Sequence, residues 1–225
     1  TDGTNNFSDL YLKWDTLKYG SFVAGNQRVA QNLSAMTGSL SQLFMERPVP
    51  VTSFSLARRL AISQDFYLKQ FGIHGVLFNK DPNNDAGKFG ASVRVITSPI
   101  RNENGIAHLG FSLVREKMDQ DARYSTRPES HVTDIRLVDT GNYSDVDHRN
   151  IAGVEMAGAW GSNTIRSELF ASRWERSESR NNDFFGAYIE FGKLLTGQEY
   201  RYRDGKFLRP WIERGTRSEE RRVGE

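Results

Sequence analysis

Residues 35–59, AMTGSLSQLFMERPVPVTSFSLARR, concentrate the groups best suited to handling a small anion. Thr37, Ser39 and Ser41 supply hydroxyl donors, and Arg47, Arg58 and Arg59 follow. Hydroxyls and guanidiniums can replace water around an oxyanion, and arginine can do so bidentately. A long loop of this composition, joining two strands and folded back into a barrel, narrows the lumen and offers those donors to a passing solute. The plainer alternative is a structural Glu46–Arg47 pair, with Arg58 and Arg59 merely opening a strand. Spacing alone leaves both open.

Two other stretches invite chemistry and do not sustain it. DPNNDAG at 81–87 has the oxygen donors of a calcium loop. Its Gly comes one place late, and Ser92 stands where such a loop needs a bidentate Glu. A polar hairpin loop is the better reading. His131 lies among Glu129, Asp134 and Asp139, but the spacing matches no catalytic or zinc motif. Arg123, Arg127 and Arg136 make this a loop cross-braced by ion pairs and hydrogen bonds. No nucleophile elbow, phosphate-cradling glycine loop or dinucleotide fingerprint occurs, so neither catalysis nor a cofactor is expected.

The elements that must carry these loops repeat every two residues. FFGAYIEF at 184–191 sets Phe185, Ala187, Ile189 and Phe191 on one face against Gly186, Tyr188 and Glu190. LYLKW at 10–14 sets Leu10, Leu12 and Trp14 against Tyr11 and Lys13, and LKYGSF at 17–22 puts Lys18 and Gly20 together. Segments 58–66 and 67–78 form a hairpin turning near Asp65–Lys69. Segments 90–98 and 106–114 join across RNENG, and 151–160 and 164–174 across GSN. The result is about nine or ten strands, near the 9–11 residues of a tilted membrane strand. Short connections alternate with long ones at 23–57, 79–89 and 115–150, as periplasmic turns and external loops do.

Composition agrees. The 225 residues are only 37% hydrophobic, with a mean hydropathy of −0.60 and 12% aromatics. No apolar run approaches the ~18 residues of a membrane-spanning helix. A barrel escapes that test, because only alternate strand residues meet lipid. The absence of cysteine excludes disulfides and thiolate metal sites. A net charge of +2 is too small to argue for nucleic acid. Between 10 and 70, however, seven bases face three acids, a local field that favours anions if the side chains converge. The chain opens on Thr1 with no signal peptide before it, and 214–225, RGTRSEERRVGE, abandons strand patterning. We expect a fragment whose last dozen residues are a non-native or disordered tail.

Three separated stretches resemble the phosphate-selective porins O and P. RPESHVTDIRLVDTG at 127–141 is similar to a segment between two strands of that family. FMER at 44–47, with Thr37 and Ser39 before it and LARRLAIS after it, resembles the family's constricting loop and next strand. LLTGQEYRYRDGKFLRP at 194–210 resembles a strand-exit segment. The motifs occur in family order across most of 10–210.

The resemblance implies an all-β, antiparallel transmembrane barrel of porin type. Residues 1–213 would supply about nine or ten of its sixteen strands, with a constriction loop at about 23–57. It implies a homotrimer in the outer membrane of a Gram-negative bacterium, in contact with outer-membrane lipid. The channel would pass inorganic phosphate, polyphosphate or other small anions by diffusion. By motif position, Arg47 becomes the eyelet arginine, with Thr37 and Ser39 near the anion. Lys18, Arg58, Arg59 and Arg94 become candidates for a pore-lining basic ladder. Ala35 and Leu40 replace lysines of the phosphate-binding members, and Gly38 replaces one of their serines. Those departures leave a general or other-solute porin open. A soluble β-rich carbohydrate-binding module is the more distant alternative, and an outer-membrane enzyme more distant still.

Overall fold

The computed structural model describes residues 9–17, 20–79, 89–128, 134–195 and 197–210. The DPNNDAG stretch, Lys18, Glu129, His131 and the 214–225 tail lie outside them. Strands β1 (Leu10–Leu17) and β2 (Gly20–Arg28) precede two short helices, α1 (Leu33–Met36) and α2 (Val49–Phe54). Then come β3 (Arg58–Tyr67), β4 (Phe71–Phe78), β5 (Gly90–Asn102) and β6 (Gly105–Ala122). A small pair, β7 (Ser125–Thr126) and β8 (Val138–Asp139), leads to β9 (Tyr143–Trp160), β10 (Asn163–Arg176) and β11 (Asn182–Lys193). A hairpin of β12 (Arg201–Arg203) and β13 (Lys206–Leu208) follows.

Nine strands form one antiparallel wall in the order β1-β2-β3-β4-β5-β6-β9-β10-β11. Every neighbour is thus a sequence neighbour apart from the small pair inserted between β6 and β9. Among the described residues β1 and β11 do not pair, so the wall is open at both edges. β2, β4 and β6 stop at one end of the wall, where the long connections leave it, with tight turns such as 103–104 and 161–162 at the other.

The wall is polar inside and apolar outside. Leu113, Val154, Leu169, Phe185, Ile189 and Phe191 are exposed on the convex face, Phe185 by 79%. Arg94, Glu116, Glu155 and Glu168 are buried on the concave face. A soluble sandwich would bury the first set, whereas lipid outside and a polar interior require this inversion. On β9 the outward apolar positions run from Ala152 to Trp160. They cover roughly 27 Å of strand, or about 20 Å after a tilt of about 40°, close to the ~25 Å apolar band of such barrels.

Two boundaries differ from the sequence expectation. β2 continues to Arg28, so the connection expected at about 23–57 begins at residue 29. β6 and β9 reach Ala122 and Tyr143, far into the stretch read as loop 115–150. Beyond Val114 the outward residues Arg115 and Lys117 are charged, which hides a strand that has left the apolar belt but still pairs across Arg115–Asn150 and Lys117–His148.

Candidate functional site

The connection 29–57 does not project away from the wall. It crosses the concave face, and the wall residues beneath it explain how. Ser92 on β5 donates to the Ala30 carbonyl at 2.7 Å, and Ser112 on β6 to the Gln31 carbonyl at 2.5 Å. Gly153 keeps this track low, because a Cβ there would stand 2.7 Å from the Ser112 hydroxyl. On β10, Glu168 accepts the Leu33 and Ser34 amides at 2.7 and 3.0 Å, and Tyr188 donates to it at 2.6 Å. The loop then returns as α2. Phe54 packs on Tyr124 and Phe170, over a Gly186 whose Cβ would meet the Phe54 ring at 2.7 Å. Gln31 closes the base by donating to the Phe54 carbonyl and accepting the Leu56 amide.

The β12–β13 hairpin covers the concave face nearer the turn end. Asp204 and Gly205 both have positive φ, 52° and 73°, the twist of a two-residue hairpin turn. It forms no ladder with the wall. Side chains hold it instead: Arg94 donates to the Gly205 carbonyl at 2.9 Å, and the Tyr202 hydroxyl meets His108 Nδ1 at 2.5 Å. The Arg166 guanidinium lies over the Phe207 ring at 4.2 Å and donates to the Ser41 carbonyl at 3.1 Å, joining hairpin and loop.

The basic residues on this frame fall into two groups. Arg94 and Arg59 serve the wall. Arg94 is fully buried and grips Glu155 with Nε and Nη2 at 2.8 and 2.7 Å. Arg59 binds Glu116 at 3.2 Å, and Glu116 also takes Arg149. The second group gathers where loop meets β2 and β3. Arg28 donates to the Ala35 carbonyl at 2.7 Å, and Arg58 grips Asp9 at 2.8 and 3.1 Å, holding that carboxyl below the usual carboxylate range. Arg47 is half-buried and donates to the Ser34 and Thr37 carbonyls at 3.2 and 3.1 Å. Among the described residues no carboxylate pairs with it. Burial, and then the nearby Arg28 and Arg58 charges, lower the pKa of Arg47, with Glu46 acting the other way. A guanidinium keeps its proton regardless, so the direction marks a cation partly stripped of water and set beside two others.

Of the expected hydroxyls, Ser39 is exposed and Thr37 is wholly buried, with its carbonyl rather than its hydroxyl facing Arg47. Arg47 also opens onto a cavity of about 270 Å³ between the loop, residues 125–128 and Arg136, with Arg127, Thr52, Thr126 and one acid, Glu46, on its walls. The cross-bracing expected of that region is present, as Arg123–Asp139 and Arg127–Asp134 pairs. Sequence reasoning did not single out Arg28, Glu168 or the inward hairpin. Glu168 was detectable as a charge on the inward phase of an apolar strand, and the hairpin as Asp-Gly between Tyr202 and Phe207.

An antiparallel wall, apolar outside and charged inside, crossed by an inward-folded loop, is the wall of a porin-type β-barrel. Residues 1–224 match the family of phosphate-selective porins O and P, and the chain belongs to that family. It is 28% identical over 203 residues to an uncharacterized protein of Caulobacter vibrioides, a match covering 82% of this chain and 40% of that relative. The chain thus spans less than half the length of that relative. No solved structure matches it.

Proposed function

We propose that this chain is part of an outer-membrane porin of a Gram-negative bacterium, a homotrimeric passive channel and not an enzyme, that favours small anions such as phosphate or polyphosphate. The single observation that carries the reading is Arg47. It sits beside Arg28 and Arg58, bonds backbone carbonyls, and pairs with no carboxylate among the described residues. An entering anion supplies the charge this cluster lacks, at low desolvation cost to a guanidinium already dehydrated by the loop. Arg127 and Arg136 extend the positive path toward the loop end, and Ser39 is proposed to line it. Arg58, Arg59 and Arg94 contribute to the basic ladder through the field they leave after pairing.

A second reading, a general anion or other-solute porin without phosphate selectivity, is favoured by the burial of Thr37 and by Ala35, Gly38 and the exposed Leu40 at the loop tip. The test is the zero-current potential of the full-length protein in a planar bilayer across a KCl gradient, followed by phosphate titration. An anion-signed potential with phosphate block supports the phosphate porin. An anion-signed potential indifferent to phosphate supports the second reading, and a cation-signed potential overturns both.

A further inference from the structure

The convex face carries a depression of about 640 Å³ spread over β5, β6, β9, β10 and β11. One register row explains it. Leu113 stands opposite Ala152, Ala152 opposite Ala171, and Ala171 opposite Phe185. Two methyl groups therefore lie between two bulky side chains, and the surface drops. The next row toward the turn end is filled again by Phe111, Val154 and Leu169. The notch is confined to one level of the apolar belt, and that level is its last.

The row beyond is polar on four strands at once. Arg115 stands opposite Asn150, Asn150 opposite Arg173, and Arg173 opposite Asp183. A charge costs several kcal/mol at the midplane of a bilayer and little near its surface, so this simultaneous change marks the edge of the hydrocarbon on the loop side. Arg115 holds Glu175 through Nη1 and Nη2 at 2.9 Å each, and Arg173 holds Asp183 through Nε and Nη2 at 2.7 and 2.9 Å. Both arginine side chains are more than half exposed, and Arg115 Nε and Arg173 Nη1 take no part in those grips. Across this row and the next, which adds Lys117, His148 and Glu175, three permanent cations face two carboxylates.

We infer that this notch is a seat for a phosphorylated lipid, with an acyl chain over Ala152 and Ala171 and the lipid phosphate on Arg115 and Arg173. The inference rests on the outer-membrane reading above. An extended apolar chain fills a depression that rigid wall side chains leave open, and its head group then arrives at the row where the guanidiniums stand. Arginine suits phosphate by geometry as well as charge, and the excess cation at the rim is the complement of a lipid phosphate.

The experiment uses the full-length protein in detergent, incubated with dilauroyl phosphatidic acid or with the diacylglycerol of the same chains. Native mass spectrometry reads the bound lipid. The wild type is expected to retain phosphatidic acid about tenfold better than diacylglycerol, the scale of one good charge-assisted contact. The Ala152→Leu/Ala171→Leu variant fills the notch and should lose both lipids. The Arg115→Gln/Arg173→Gln variant should keep weak binding and lose the preference. Equal retention by all three proteins overturns the seat. So does a change of oligomeric mass in the leucine variant with lipid binding unchanged, which would assign the notch to a second copy of the chain. Channel current is scored on the same preparations: current without lipid preference overturns the seat alone, whereas failure to insert in a bilayer overturns the reading beneath it.

Discussion

Glu168 on the wall accepts the Leu33 amide at 2.7 Å, tying the inward-folded 29–57 loop to a strand residue 135 positions further along the chain. The same carboxylate takes the Ser34 amide and the Tyr188 hydroxyl. It stands directly opposite Glu155 in the β9–β10 ladder. The fold separates the duties of the two facing carboxyls: Glu155 answers Arg94 and His108, and Glu168 answers the loop. The loop's position is therefore set by a carboxyl group wholly buried against the wall.

Replacing Glu168 with Ala leaves two buried amides without an acceptor, at about 1–3 kcal/mol each. We expect the wall to stay folded and the loop to leave it. Single-channel conductance of the full-length variant should rise, and protease should cut within 29–57. A conductance equal to that of the wild type would show that the loop is held by its apolar contacts alone.

Arg47 and Arg94 should separate function from stability. Arg47→Ala is expected to shift the zero-current potential toward cation preference with little change in the denaturation midpoint. Arg94→Ala strands Glu155 in a buried site, a loss of about 3–5 kcal/mol, and releases the Gly205 carbonyl. Measuring both midpoints and both potentials checks the pair. If Arg47→Ala leaves the potential unmoved, it does not face the solute.

At Gly186 the prediction is steric. A Cβ there meets the Phe54 ring at 2.7 Å and Pro50 at 3.0 Å, an overpacking that costs about 1–3 kcal/mol. Gly186→Ala should lift α2 and lower the thermal midpoint. Adding Phe54→Leu to that variant should recover part of the loss, and the absence of any recovery would place the strain elsewhere.

Arg123 holds Asp139 at 2.8 and 2.5 Å, and with the Gly141 amide it lowers that carboxyl from 3.8 to about 2. A depressed carboxylate stabilises the folded loop above about pH 3.8 and loses that effect as pH falls through about 2. Hydrogen exchange in 123–142 should be steady from neutral pH to about pH 4, after correction for intrinsic rates, and should accelerate below it. Asp139→Asn should show the faster exchange already at neutral pH.

Much of the wall was legible in the sequence. Alternation assigned Phe185, Ala187, Ile189 and Phe191 to one face and Tyr188 and Glu190 to the other, because a strand's side chains alternate by geometry, whatever surrounds it. It failed at the ends of β6 and β9, where a strand beyond the lipid is polar on its outer face and reads as loop. Local turn chemistry marked the turn at Gly161, since positive φ selects such residues, whereas the same signal at Asp204–Gly205 went unread.

The sequence by itself determined the class of protein, the polarity of the wall and the loop that bears Arg47. Only the tertiary structure decided which charges remain for a solute. Arg47, Arg59 and Arg94 look alike as letters. Arg94 on β5 reaches Glu155 on β9 across β6, and Arg59 on β3 reaches Glu116 on β6 across two intervening strands, while the loop's path leaves Arg47 among carbonyls. Pairing between residues about sixty positions apart follows from how the wall brings the inward faces of non-adjacent strands together, and that is a property of the folded sheet rather than of any local pattern.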